Sequence, residues 1–225
     1  EAQIAFVYAG DLWVADINGE NVRRLTSDEG SEMSPVFSPD GRWIAFSAQY
    51  DGNIDVFIVP ATGGIPKRLT WHPGPDIARS FTTDGSAVLF ISNRDDFSNR
   101  FFQLFTVSVD GGFPNRLEIP NAFKASYAPG GSAIAYIPNT EPFLQWKNYR
   151  GGTVATIWMF SFDDHSTEVI PQPEGRCNDT DPMWIDDRIF FRSDRNGEFN
   201  LFSFDTRTSE VKQLTAYEDF PILNA

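Results

Sequence analysis

The sequence predicts an all-β fold, a β-propeller of four-stranded antiparallel blades, on three observations. First, a polar residue, an apolar one and an aromatic recur five times. They read Asp11-Leu12-Trp13, Asp55-Val56-Phe57, Gln103-Leu104-Phe105, Thr156-Ile157-Trp158 and Asn200-Leu201-Phe202, with the aromatics 44, 48, 53 and 44 residues apart. A period of this length belongs to stacked repeats, whose units bury their apolar faces only against one another. Second, turn-forming residues recur in phase with that register. Third, aromatics make up 15% of the chain, with 21 Phe, a composition suited to half-buried pleated strands.

The elements of one unit follow in order. A hairpin at Ser38-Pro39-Asp40-Gly41, Thr83-Asp84-Gly85, Pro129-Gly130-Gly131 and Asp186-Asp187 joins an innermost strand to a second one. The second strand reads Ile44-Ala45-Phe46, Val88-Leu89-Phe90, Ile134-Ala135-Tyr136 and Ile189-Phe190-Phe191. The third carries the recurrent aromatic and ends in a turn at Asn18-Gly19, Thr62-Gly63-Gly64, Asp110-Gly111-Gly112, Asp163-Asp164 and Thr206-Arg207. Gly, Asn and Asp tolerate the positive φ of tight hairpins. A short outer strand closes the unit at Arg24-Leu25-Thr26, Arg68-Leu69-Thr70, Arg116-Leu117, Val169-Ile170 and Gln213-Leu214-Thr215. Four such strands make one propeller blade.

The units run approximately over 1–30, 31–74, 75–121, 122–174 and 175–219 of a single propeller domain. The first lacks its innermost strand, and the tail Phe220-Pro221-Ile222-Leu223 resembles one. Two readings stay open: the tail completes the first unit in a five-bladed ring, or it begins a further blade of a six-bladed propeller.

Composition narrows the function. With 31 acidic and 18 basic residues the net charge is −13, which repels polyanions and argues against nucleic acid as a partner. No apolar run reaches the roughly 20 residues that span a bilayer. The single cysteine, Cys177, excludes an intrachain disulfide and a cysteine-rich metal site.

Little in the chain suggests chemistry, so no catalytic, cofactor-binding or metal-ligating residue is assigned, and no cofactor is expected. A hydrolase needs a nucleophile, a base within reach and oxyanion donors. Only His72 and His165 are available, and no Gly-x-Ser-x-Gly elbow occurs. Asp51-Gly52-Asn53-Ile54-Asp55 lacks the sixth-position glycine and distal glutamate of a calcium loop. The Gly-Gly pairs are hairpin tips, not phosphate cradles before a helix. Arg176 beside Cys177 is a cation able to favour a thiolate, but no histidine is near it in sequence.

The expected site is a contact face. Loops between second and third strands lengthen from Ala9-Gly10 to 49–53, 93–101 and 138–153. Propeller connectivity places them at one end with the links between blades. That end gathers Trp71, His72, Arg94, Arg100, Phe101, Trp146, Tyr149 and Arg150, together with Tyr50, Lys147 and Arg195. Aromatic and arginine side chains are common interface anchors. A plainer expectation holds for two of the arginines: Arg94-Asp95 and Asp194-Arg195 pair locally and order their turns.

Ser-Pro-Asp-Gly before an Ile-Ala-Phe strand, with Gly-Gly and Arg-Leu-Thr after it, resembles the repeats of TolB, the dipeptidyl-peptidase relatives and the tricorn proteases. Residues 4–13, 69–74, 97–101 and 146–152 resemble the first propeller of bacterial tricorn-type peptidases more closely. The resemblance implies a six-bladed N-terminal module of a large serine peptidase whose nucleophile lies elsewhere in the polypeptide. It implies a role in substrate and product passage or in assembly, and partners among peptides and other domains or subunits of the same peptidase. It implies a cytoplasmic location, with export as the alternative. A stand-alone TolB-like interaction propeller and the propeller lid of a dipeptidyl-peptidase-type enzyme are the competing functions.

Overall fold

The computed structural model describes residues 2–98, 100–140 and 149–223. Strands make up five sheets, and no helix occurs among the described residues. The chain divides into two compact units, one up to Glu118 and one from Ile119.

The first unit holds three sheets. β1 (Gln3–Tyr8), β2 (Asp11–Asp16) and β3 (Arg23–Arg24) form a three-stranded sheet, which lacks the innermost strand as the sequence implies. β4 (Glu32–Phe37), β5 (Trp43–Ala48), β6 (Asp55–Pro60) and β7 (Lys67–Arg68) form the second, in spatial order identical to chain order. β8 (Asp76–Phe81), β9 (Ala87–Ser92), β10 (Gln103–Ser108) and β11 (Asn115–Arg116) form the third. In the second unit β12 (Lys124–Tyr127), β13 (Ala133–Ile137), β14 (Trp158–Ser161) and β15 (Thr167–Val169) make one sheet. β16 (Asp179–Ile185), β17 (Arg188–Ser193), β18 (Asn200–Asp205) and β19 (Val211–Gln213) make the other. All these pairs are antiparallel, so each sheet is a meander of the propeller-blade type.

The recurrent residues have specific duties. In Ser38-Pro39-Asp40-Gly41 the Ser38 hydroxyl donates to Asp40 Oδ1 at 2.6 Å and accepts from Trp43 N at 3.0 Å. Gly41 closes the turn by donating to Ser38 O at 2.8 Å, at a φ of 70° that a side chain would strain. The Arg-Leu-Thr repeat pins the outer strand. Thr26 and Thr70 accept at Oγ1 from Leu12 N and Val56 N at 2.8 and 3.0 Å, and Thr215 does the same for Leu201 N at 2.9 Å. Arg24 and Arg68 pair with Asp11 and Asp55 at the start of the third strand, at 2.7 and 2.5 Å. Proline enters two inner strands, at Pro35 and Pro182, where the register shifts and the missing N–H costs no ladder bond.

Packing between neighbouring sheets supplies the core. Leu12, Val14, Ile44, Phe46 and Val59 join the first two sheets, and Val56, Ile58, Leu69, Phe81 and Phe90 join the second and third. In the second unit Ile137, Ile157, Ile189, Phe191 and Phe204 do the same. Each buried side chain of this size contributes about 1.5–3 kcal/mol relative to exposure.

A repeated bond shows how one blade hands over to the next. The first residue of an inner strand donates its N–H to a carbonyl one to three residues before the last-but-one strand of the preceding sheet. Glu32, Asp76 and Asp179 do this to Gly10, Ile54 and Ala155 at 2.9, 2.8 and 2.9 Å. Ile222 makes the same bond to Phe199 O at 2.9 Å, so the tail takes up the register of one more inner strand.

Candidate functional site

The loop arginines are held by a device that recurs in the second, third and fifth sheets. Each inner strand begins with an acid: Glu32, Asp76 and Asp179. Two residues beyond the second strand stands the side chain that meets it. Tyr50 Oη donates to Glu32 Oε1 at 2.5 Å, and Arg94 Nη2 donates to Asp76 Oδ2 at 2.6 Å. Arg195 Nη2 reaches both oxygens of Asp179 at 3.0 Å. Beneath each lies a stacked phenylalanine pair, Phe46–Phe57, Phe90–Phe105 and Phe191–Phe202, with centroids 5.8, 5.7 and 5.9 Å apart. The Arg94 guanidinium sits 5.3 and 5.0 Å from its two rings, and that of Arg195 5.2 and 5.1 Å.

This corrects the expectation of pairing between sequence neighbours. Arg94 bonds Asp76 and not Asp95, which lies 3.7 Å from Arg116. Arg195 bonds Asp179 and not Asp194. Both arginines sit in turns just beyond the second strand, closed by Asp96 N to Asn93 O and Gly197 N to Asp194 O at 3.0 and 3.1 Å, and the acid each one reaches is on the inner strand.

The fourth sheet departs from the pattern. Its inner strand begins with Lys124, which pairs with Asp181, and Asp181 also takes Arg192.

In the first unit Trp71, His72 and Arg94 come together. With Leu69, Thr70, Gly112, Phe113 and Pro114 they line an open groove of ≈ 420 Å³. Trp71 is 64% exposed and Phe113 96%, while Arg94 is mostly buried at the base of its loop. His72 Nδ1 accepts from Gly74 N at 3.0 Å, which commits that nitrogen to the local turn. Further along the same loop the Arg100 guanidinium lies 5.4 Å from the Phe101 ring. Asp96 Oδ2 orders this stretch by accepting from Arg100 N and Phe101 N at 2.6 and 2.9 Å.

In the second unit Arg150 Nη1 donates to Asp194 Oδ2 at 2.5 Å. Asp194 is buried and is also bonded by Asn178 through its backbone N and Nδ2, at 2.7 and 2.9 Å. Asn178 Nδ2 further donates to Tyr149 O at 3.0 Å, so Tyr149 and Arg150 belong to one hydrogen-bonded corner. Trp146, the remaining expected contact residue, and Lys147 lie outside the described residues.

No group of three or more His, Cys, Asp or Glu suited to a metal ion occurs among the described residues, and no helix there is long and apolar enough to cross a membrane. Cys177 is buried, and burial followed by the Asp179 charge pushes its thiol up to about 12, overriding the opposing charge of Arg195. The groove-forming Phe113 was missed in the sequence. Its Gly-Gly-Phe-Pro context read as a hairpin tip, and only the fold brings that tip opposite Trp71.

Antiparallel meanders in series, with loop residues tied to inner-strand acids, define a β-propeller domain built of blade-type sheets. A family model for the tricorn protease N-terminal beta propeller domain matches residues 1–225, and the chain belongs to that family. It is 30% identical over 219 residues to "Tricorn protease homolog 1" of Streptomyces coelicolor, covering 96% of this chain and 20% of that one. The chain thus spans about a fifth of the length of this relative. Among solved structures it superposes on the tricorn protease with a TM-score of 0.83 at 24% identity, covering 98% of this chain and 22% of that one. TolB from Acinetobacter baumannii follows at 0.77 and 19%, covering 95% and 53%. These two likenesses show the fold.

Proposed function

We propose that this chain is a non-catalytic propeller module of a tricorn-like serine peptidase, serving substrate or product passage or the assembly of the particle. The observation that carries the reading is the match of the tricorn N-terminal propeller family over all 225 residues. In this reading Trp71, His72, Arg94, Arg100 and Phe101 offer contacts on the first unit, and Tyr149 and Arg150 offer contacts on the second. Its partners are other domains or subunits of the peptidase, or peptides in transit. Family likeness favours the cytoplasm. Of the two histidines, His72 is committed at Nδ1 to a turn and His165 stacks on Phe160 at 5.9 Å, which supports a structural use for both.

The test is a peptidase assay with fluorogenic di- to tetrapeptides on the purified chain beside the full polypeptide that contains it. Activity is expected in the full polypeptide alone. Turnover by the isolated chain that survives mock purification overturns the non-catalytic assignment. Reading the surrounding gene separates the alternatives: a stop after the propeller favours a TolB-like protein, and an α/β-hydrolase domain favours a dipeptidyl-peptidase lid.

A further inference from the structure

The loop that supplies Arg94 to the groove beside Trp71 also carries a projecting side chain, Phe97. Phe97 is fully exposed and directly follows Asp95 and Asp96. It stands three residues beyond Arg94, which lines the groove. The walls are aromatic and aliphatic, from Trp71, Phe113 and Leu69. Arg116, about half exposed and only 3.7 Å from Asp95, is on β11, which follows the turn that carries Phe113. Lys67, exposed on the neighbouring outer strand, donates to Val109 O at 3.0 Å and pairs with no acid among the described residues. The surface therefore offers an apolar socket with nearby cations, and an acidic aromatic knob of matching chemistry.

We propose that this groove receives Phe97 of a second copy of this chain, in a reciprocal exchange about a twofold axis. The proposal rests on the reading of this loop face as a contact surface. In a twofold contact the same patch meets itself, so a knob and its socket must lie side by side on each copy. Phe97 and Arg94 in one short loop meet that condition. Exposed large aromatics gathered at one place mark interaction sites on soluble proteins. Phe and Trp each bury about 150–250 Å² when covered, the term that must outweigh repulsion between two chains of charge −13. Asp95 of the incoming knob is placed to pair with Arg116 of its host in exchange for its own.

The test is sedimentation velocity over a concentration series on the whole chain and two variants, Phe97→Ser and Phe113→Ser. Both side chains are exposed, so folding is expected to persist by circular dichroism. A monomer–dimer equilibrium is expected for the unaltered chain, weakened by about tenfold or more in each variant. Mixing the two variants restores one intact knob and socket, so the mixture dimerises more strongly than either alone. A chain that stays monomeric to millimolar concentration overturns the proposal, as does a dimer indifferent to both substitutions. Binding of the peptide acetyl-Asp-Asp-Phe-Ser-amide by a chain that remains monomeric, lost in Trp71→Ala, also overturns self-association while leaving the contact face standing. If Trp71→Ala and Arg100→Ala change neither self-association, peptide binding nor binding to the rest of the polypeptide, the contact face itself fails.

Discussion

At the scale of single residues, environment overrides what neighbours in sequence suggest. Arg176 stands beside Cys177, but the thiol is buried next to Asp179, and burial raises its pKa to about 12. A thiol reacts as its thiolate, so Cys177 is expected to be inert to Ellman's reagent at pH 8 in the native chain and to react promptly in denaturant. A fast native reaction would show that Cys177 is not buried as described. The histidines teach the same lesson. Their scarcity is visible in the sequence, whereas the Gly74 N–H that occupies His72 Nδ1 belongs to the folded turn.

At the scale of elements, the acid, the loop cation and the phenylalanine pair act as a clip holding the second-to-third-strand loop against the inner strand. Asp76 is fully buried and Arg94 nearly so, so removing the cation leaves an uncompensated charge. Arg94→Met is expected to cost about 3 kcal/mol in urea denaturation, with much of the loss recovered in Arg94→Met/Asp76→Leu. Arg150 is 39% exposed at its side chain, and Asp194 keeps both Asn178 bonds without it. Arg150→Ala is therefore expected to cost below about 1 kcal/mol. Equal losses at the two sites would argue against the clip as a distinct element. The strands, their order and most turns were legible beforehand, because Gly41 and the Arg-Leu-Thr repeats act over a few residues or one hairpin. The clip was not, because Asp76 and Arg94 stand 18 residues apart and meet only across paired strands.

At the scale of the whole molecule, an acidic protein titrates in two opposite senses. Asp40, Asp84 and Asp164 are lowered to about 2, first by hydrogen bonds from the Ser38, Thr82 and Ser166 hydroxyls. Groups lowered in the folded state stabilise it above their unfolded pKa, and that stability is lost as pH falls from about 4 toward 2. Glu32 goes the other way, raised chiefly by burial against the opposing Tyr50 and Thr26 hydrogen bonds. Asp55 is raised too, burial outweighing Arg68. The folded state holds those protons more tightly, so stability declines as pH rises above 3.8 for Asp55 and above 4.5 for Glu32. The urea midpoint is expected to be highest in mildly acidic buffer, and Glu32→Gln to flatten the decline on its neutral side. An unchanged slope in that variant would remove Glu32 as its source.

The division of labour between sequence and fold has a plain physical cause. Strand content, repeat period, hairpin positions and the absence of a nucleophile elbow follow from local propensity and from residue types recurring in register, and the sequence alone settles them. The partner of Arg94, the shielding of Cys177, the groove between Trp71 and Phe113 and the inner-strand register of Ile222 were decided by tertiary structure. Each depends on residues from separate strands or turns that only sheet pairing and blade packing bring within a few ångströms.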